Sequence, residues 1–404
     1  MSKGNILVVT QWGFEEGLIQ SYTLPYLKII HKVNPGRKIY LITQEKSGLD
    51  ADRAKLEKIG KELSAFNITL LPETYRRAGL SKYFYSGFNL VKHIAYVFSK
   101  GIKYIHTFCT PAGGYGYLLS KMTGRKLVVD SYEPHAEYML ECGVWNKDQF
   151  AFRVLDNLEK KQALHADHLI ATTDTMVAHT EKRFGISLPE YDVKPACVDL
   201  DKFSYDADRA ATVRKELGFE GKTVCVYAGK FGDFYLKEEV FELFQSAFKF
   251  WGERFHVLLL SDIPPAELDQ YCRQFNLPRE SFTLIKSPHH MVPVYLSAAD
   301  FGLSPYRPTP SKLYCTPIKN GEYWAVGLPV LITKDISIDS DLIEKKNIGY
   351  VLKSLDRDEY DRAVRKMDEL LNSDRETLRK TIRRVAEEQR SYSIAETIYE
   401  KIYH

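Results

Sequence analysis

One stretch of the chain sets two lysines around a glycine-ended apolar run: Val226-Tyr227-Ala228-Gly229-Lys230-Phe231-Gly232-Asp233-Phe234-Tyr235-Leu236-Lys237. Read as a strand, a loop and the start of a helix, it brings two ammonium groups beside a helix N-terminus. That combination holds an anion without a metal. Two solvated loop lysines are the plainer alternative. A second stretch runs Pro317-Ile318-Lys319-Asn320-Gly321-Glu322-Tyr323-Trp324-Ala325-Val326-Gly327-Leu328-Pro329-Val330. Lys319 and Glu322 lie one turn apart on one helical face. The carboxylate has two acceptor oxygens, suited to the two hydroxyls of a ribose; a helix-surface ion pair would need the same spacing. A third stretch, Gln11-Trp12-Gly13-Phe14-Glu15-Glu16-Gly17, follows the first apolar run. Gly13 there allows close backbone approach, and a helix start favours phosphate. Gly113-Gly114-Tyr115-Gly116 follows another apolar run. Neither has GxGxxG spacing, and no acid is placed for a nicotinamide ribose, so a dinucleotide dehydrogenase is disfavoured. Tight turns are the competing explanation for these glycines.

The elements that must carry these residues alternate short apolar runs with amphipathic stretches. Strands are expected at Ile6–Thr10, Lys38–Thr43, Ile68–Pro72, Tyr104–Phe108, Lys126–Ser131 and His168–Thr173, with helices of 10–17 residues between them. Residues 187–222, rich in Pro, Asp, Lys and Gly, interrupt the pattern. It restarts with strands at Thr223–Gly229, Phe255–Asp262, Phe282–Lys286, Phe301–Pro305 and Pro329–Thr333. This βαβ alternation predicts an α/β chain of two doubly wound domains, residues 1–195 and 196–390. Arg357–Gln389 and Ser393–Tyr403 read as charged helices. The terminal segment, 391–404, either packs across both domains or caps the second.

Bulk composition narrows the function classes. The 404 residues include 56 basic and 53 acidic side chains, a balance too even for a nucleic-acid binder. Six cysteines lack CxxC or CxxH spacing, so zinc, Fe–S and disulfide frameworks are poorly supported. The longest apolar stretches, such as Val257–Leu260, are too short to cross a bilayer. Glu15 and Glu16 break any secretory leader pattern, and a cytoplasmic protein is expected.

Taken together, the three chemical stretches resemble a known family, the retaining GT-B glycosyltransferases of the large nucleotide-sugar-dependent group (family 4-like, or group 1). The signature is Pro317-x-Lys319-x-x-Glu322-Tyr323-x-Ala325-x-Gly327-x-Pro329-Val330. Lys194-Pro195-Ala196-Cys197-Val198-Asp199 resembles the interdomain segment, with Ala196-Cys197 where Asn-Gly is common. Ala298-Ala299-Asp300-Phe301-Gly302-Leu303 matches the strand before the donor loop. The resemblance implies two Rossmann-like domains facing a cleft, with the nucleotide-sugar on the second and the acceptor on the first. It implies Glu322 on the ribose and Lys230 and Lys237 on the diphosphate, with Gly13, Gly229 and Lys319 also at the donor. Tyr314 stands where many members have a second glutamate. In the first domain, Glu133 or His135, within Asp130-Ser131-Tyr132-Glu133-Pro134-His135, would face sugar or acceptor. His106 competes for that role and reads better as a structural histidine.

The resemblance also implies catalysis with neither metal nor cofactor. The DxD-like triplets at Asp50–Asp52, Asp206–Asp208, Asp339–Asp341 and Asp356–Asp358 read as surface caps. The acceptor would be a glycan, a lipid-linked sugar or another hydroxyl. Tyr75-Arg76-Arg77 and Lys82-Tyr83-Phe84-Tyr85, followed by Phe88, Lys92 and Lys100, suit an anionic membrane or a polyprenyl phosphate, at the inner membrane face. Phe84, Phe88, Val91, Ala95 and Phe98 fall at helical spacing and predict a core-facing stripe. A nucleotide-sugar epimerase and a catalytically silent nucleotide or carbohydrate binder are the alternatives.

Overall fold

The computed structural model describes residues 4–46, 48–76, 80–188, 190–232 and 234–404, with 80–86 described as backbone only. Of the basic and aromatic residues read above, Arg77 and the side chains of Lys82, Tyr83, Phe84 and Tyr85 therefore lie outside the described set, as does Asp233. The chain divides into two compact units. One comprises residues 1–195 and 393–404, the other residues 196–392.

The first unit is built on seven strands: β1 (Asn5–Val9), β2 (Ile39–Glu45), β3 (Ile68–Thr74), β4 (Ile102–Phe108), β5 (Lys126–Tyr132), β6 (His168–Ala171) and β7 (Tyr191–Val193). They pair parallel throughout in the order β3-β2-β1-β4-β5-β6-β7. Strands buried on both faces need continuous apolar runs, and Ile6–Val9 and Leu127–Val129 are almost fully enclosed. The last helix, Tyr392–Tyr403, closes this unit. Tyr399 donates to Asp130 at 2.6 Å, and the Tyr403 hydroxyl meets His106 Nδ1 at 2.5 Å.

The second unit has six strands: β8 (Thr223–Ala228), β9 (Phe255–Leu260), β10 (Phe282–Ile285), β11 (Phe301–Ser304), β12 (Val330–Thr333) and β13 (Gly349–Leu352). They are parallel, in the order β10-β9-β8-β11-β12-β13. Both sheets thus reverse their winding beside their first strand, the Rossmann arrangement.

Four expectations need correction. Strand β7 and the helix Ala207–Glu216 occupy the stretch read as an interruption. Arg357–Gln389 is two helices, Arg357–Leu371 and Arg375–Arg390. Asn372-Ser373-Asp374 breaks it, and the Asp374 carboxylate accepts from the Glu376 and Thr377 amides to start the second. The apolar stripe on the helix Leu80–Ser99 faces outward: Phe88 is 68% exposed, Val91 66% and Phe98 55%, while Asn89, His93 and Val97 are buried. The buried face carries polar groups with internal partners, so apolar spacing points to the wrong side. Finally, Asp339 is fully buried against Arg390, unlike the surface acid expected there.

Candidate functional site

In the second unit the winding reverses between β8 and β11, where open parallel sheets bind ligands. The loops leaving these strands are tied together. Leu236 N–H donates to Pro305 O at 2.8 Å, and Arg307 N–H donates to Phe234 O at 3.0 Å. Three tyrosines thereby converge on one side chain. The Lys319 ammonium lies 3.9 Å from the Tyr235 ring centre, 4.8 Å from that of Tyr227 and 5.0 Å from that of Tyr306. Lys319 is 7% exposed, and its Nζ has no hydrogen-bond partner. Burial pushes the ammonium down to about 7; the Glu322 carboxylate opposes that fall and Lys312 deepens it. Ring faces attract a cation but supply no acceptor. Gly229, with φ +153°, lies directly over this group: a Cβ there would stand 3.0 Å from Nζ.

The helix Ile318–Ala325 fixes that geometry from below. The buried Tyr323 hydroxyl accepts from Ala228 N–H at 2.9 Å and donates to Leu303 O at 3.2 Å, bridging the ends of β8 and β11. A Cβ on Gly302 would fall within 2.6 Å of the same ring. Gly327 ends the helix with φ +77°, and a Cβ there would overlap Arg379. Asn320 donates to the buried Asp339 at 2.7 Å. Burial raises the Asp339 carboxyl, against the pull of Arg390 and Asn320. Most of the proline, glycine and helical spacing in this segment therefore positions Lys319 and Glu322.

Glu322 is buried on the same helix. Its Oε1 is 3.0 Å from Nε2 of His289, which sits in the turn after Pro288 at the end of β10. His289 escaped the sequence reading, although a histidine pair just past a strand end was a visible signal. Lys230 lies exposed at the loop. Lys237 turns away toward Glu267, at 2.6 Å, and lies 5.3 Å from the Tyr271 ring centre. Its ammonium is raised by Glu267 and then Tyr271. The Lys237 amide donates to Glu239 Oε2 at 3.1 Å, so an acid of the first turn already occupies this helix start.

In the first unit, carboxylates stand where a phosphate was expected. Gly13 N–H donates to Glu16 Oε1 at 3.1 Å, and Phe14 N–H donates to Glu45 Oε1 at 3.0 Å. Gly113 and Gly116 are packing glycines inside the helix Thr110–Thr123: added Cβ atoms would overlap Gln162 and Thr107. Glu133 and His135 follow β5, both half-buried. Glu133 N–H donates to Thr110 Oγ1 at 3.2 Å, and the Thr110 hydroxyl donates back to Glu133 O at 2.6 Å. His135 opens the short helix His135–Glu141, its ring 6.4 Å from that of Trp145. His106 is wholly buried, 3.4 Å from Asp130, which also pairs with the buried Lys194 at 3.1 Å. Burial would raise the Asp130 carboxyl, but Lys194, His106 and Tyr399 hold it well below the usual range.

Among the described residues, no group of three or more His, Cys, Asp or Glu side chains converges to hold a metal. Residues 289–400 match the family model of the glucosyltransferase 3-like C-terminal domain. No curated protein sequence matches the chain. Solved structures resemble it over its whole length. Anabaena HepE in complex with UDP-glucose superposes with a TM-score of 0.74 at 14% identity, covering 99% of each chain. Sucrose-phosphate synthase from Thermosynechococcus elongatus gives 0.73 at 16%, covering 99% of this chain and 98% of that one. WaaG, a glycosyltransferase involved in lipopolysaccharide biosynthesis, gives 0.71 at 15%, covering 98% and 99%.

The fold is that of the GT-B glycosyltransferases.

Within this GT-B chain, the residues read from sequence do not all meet. Gly229, Lys319 and Glu322 gather at the switch point of the second unit, and Lys230 borders it. Lys237 is drawn to Glu267, and the Gly13 amide is occupied by Glu16. Tyr235, Tyr306 and His289 complete the site and were not singled out beforehand. The glucosyltransferase-like segment includes Tyr306, Lys319, Glu322 and His289.

Proposed function

We propose that the protein is a retaining, metal-independent glycosyltransferase that moves a sugar from a nucleotide-sugar, of the UDP-glucose kind, to a glycan or lipid-linked hydroxyl. One observation carries this reading: a buried ammonium without a hydrogen-bond acceptor, Lys319, beneath a glycine at the switch point. A donor diphosphate would be the missing acceptor. Breaking the anomeric C–O bond leaves charge on the departing diphosphate. A fixed cation in a low-dielectric pocket stabilises that charge without reorganising. Lys230, exposed at the loop, adds a second cation from the solvent side. Glu322, oriented by His289, accepts both ribose hydroxyls and positions the nucleotide. Glu133 and His135 are the acceptor-side groups of the first unit.

The test is a thermal-shift screen across UDP-, GDP-, ADP- and dTDP-sugars, where ligand at about 100 times Kd adds about 2.7 kcal/mol. NMR of the product's anomeric configuration follows, with and without EDTA. Retained configuration and chelator-insensitive turnover are expected. Inversion, or activity abolished by EDTA and restored by magnesium or manganese, overturns the mechanism. Interconversion of donor sugars without an acceptor would mark an epimerase.

We also infer that the first unit rests on an anionic lipid surface. Phe88, Val91 and Phe98 are exposed on their helix, and Leu118 and Met122 are exposed on the helix Thr110–Thr123 that packs against it. Arg125 lies 5.1 Å from the Phe98 ring centre, and Lys100 and Lys121 stand on the same two helices or their ends, the pairing of apolar and basic groups that interfacial helices use. Among the described residues, no helix is long and apolar enough to cross a membrane.

A further inference from the structure

The first unit holds a cavity that none of these roles uses. It opens at the carboxyl ends of β1, β2 and β3, has a volume of about 200 Å³, and is lined by Gln11, Gln44, Glu73, Asn89, His93 and Tyr115 among others. A single water needs only ~15 Å³. The space is too large to be a hydration defect and too small for a dinucleotide.

Its wall is a built hydrogen-bond array. Glu73 Oε1 accepts from Lys92 Nζ at 3.0 Å and lies 2.9 Å from His93 Nε2. Glu73 Oε2 accepts from Asn89 Nδ2 at 3.0 Å and from Gln44 Nε2 at 3.4 Å. His93 Nδ1 lies 2.6 Å from the Tyr115 hydroxyl. Burial would lift the Glu73 carboxyl, but His93 and Lys92 keep it below its ordinary value. Burial, and then Glu73, push the Tyr115 hydroxyl up, so it stays protonated. Asn89 is 7% exposed, and its Oδ1 has no hydrogen-bond partner.

The lining chemistry narrows the occupant. Glu73 brings a carboxylate to the wall and Arg76 a guanidinium, so charge alone does not select an anion. Three carboxamides (Gln11, Gln44, Asn89), the hydroxyls of Thr10, Thr74 and Tyr115, and the flat ring of Tyr75 line one small space. A sugar ring, whose every hydroxyl both donates and accepts and whose C–H face suits an aromatic ring, matches that set. We propose that this cavity binds one sugar ring of the acceptor, its hydroxyls meeting the polar side chains of Gln11, Gln44, Glu73 and Tyr115. The proposal rests on the glycosyl-transfer reading above and assigns the acceptor's sugar to residues distinct from Glu133 and His135.

The experiment is saturation-transfer NMR and calorimetry on the full chain, with glucose, galactose, N-acetylglucosamine and inorganic phosphate as separate probes. Wild type is compared with Asn89→Ala and Tyr115→Phe, with thermal melts and UDP affinity measured on each. At least one sugar should receive saturation, and each variant should weaken it about tenfold while UDP affinity holds. Tyr115→Phe removes one oxygen and keeps the ring, so it reports even if Asn89→Ala unfolds. No sugar signal, sugar binding undiminished in both variants, or phosphate as the preferred probe overturns the proposal. Wild type that binds a sugar but no UDP-sugar would overturn the donor reading and leave this cavity standing.

Discussion

Lys319 carries a sharp thermodynamic signature. Its ammonium titrates at about 7 in the folded protein, against an ordinary lysine value of 10.5. The unfolded chain therefore holds a proton that the folded chain lacks between roughly pH 7 and 10.5, and apo stability rises with pH across that window. The cost is complete below pH 7. At ~1.4 kcal/mol per unit, the gap of 3.5 units corresponds to about 5 kcal/mol. A diphosphate placed beside Nζ supplies the missing counter-charge and returns the group toward its ordinary value. At pH 8, about a tenth of the free protein carries the proton, so UDP binding should take up roughly 0.8–0.9 proton. The terminal phosphate, with a value of ~6, is already ionised there and contributes little. Calorimetry of UDP binding in HEPES, tricine and Tris reads this number as the slope of observed enthalpy against buffer ionisation enthalpy. Lys319→Met keeps the stem volume inside the tyrosine cage. It should abolish the uptake, weaken UDP and stabilise the apo protein at pH 6. A slope near zero in wild type, or one that persists in Lys319→Met, would refute the assignment of this lysine to the diphosphate.

Glu322→Gln should weaken UDP by roughly tenfold to a hundredfold with little change in apo melting temperature, and His289→Ala by less; calorimetry checks both. A collapse of apo stability with intact affinity would make Glu322 a structural residue. Lys230→Ala should lower kcat/KM by more than roughly tenfold, whereas Lys237→Ala should cost less, because Glu267 already engages that ammonium. Equal and large losses in steady-state kinetics would show that Lys237 leaves Glu267 when the donor binds. Vesicles containing phosphatidylglycerol should pull down the wild-type protein at low salt. Binding should weaken with ionic strength and fall away in Phe88→Glu/Phe98→Glu, while neutral vesicles leave the protein in solution.

The parallel strands of each sheet were legible in runs such as Ile6–Val9 and Val257–Leu260, whose apolar continuity suits a strand covered on both faces. The Lys319–Glu322 helix was legible because proline, glycine and helical spacing mark its ends. The tyrosine cage was not. Tyr227 and Tyr235 stand in one stretch but Tyr306 is far along the chain, and a tyrosine looks the same in sequence whether it packs a core or holds a cation. The helix Leu80–Ser99 misled for a related reason: its inward face is Asn89 and His93, whose side-chain nitrogens meet Glu73 and Tyr115 from other elements. Spacing within one helix carries no information about such distant partners. The partners of Lys237 and Gly13 were hidden in the same way, since Glu267 and Glu16 answer charges and amides that sequence shows as vacant.

The membership of residues 393–404 in the first unit has a consequence for synthesis. A ribosome adding about 5–20 residues per second takes roughly 10–40 s to make the second unit before those residues emerge. Until then Asp130 and His106 lack the hydroxyls of Tyr399 and Tyr403, and the buried Asp130–Lys194 pair is short of the donor that completes it. The nascent first unit must therefore wait, incompletely closed, while the second folds beside it. Chaperone engagement should concentrate in that interval, and a stop codon before Tyr392 should yield a chain that is made in full to that point yet cleared by proteolysis.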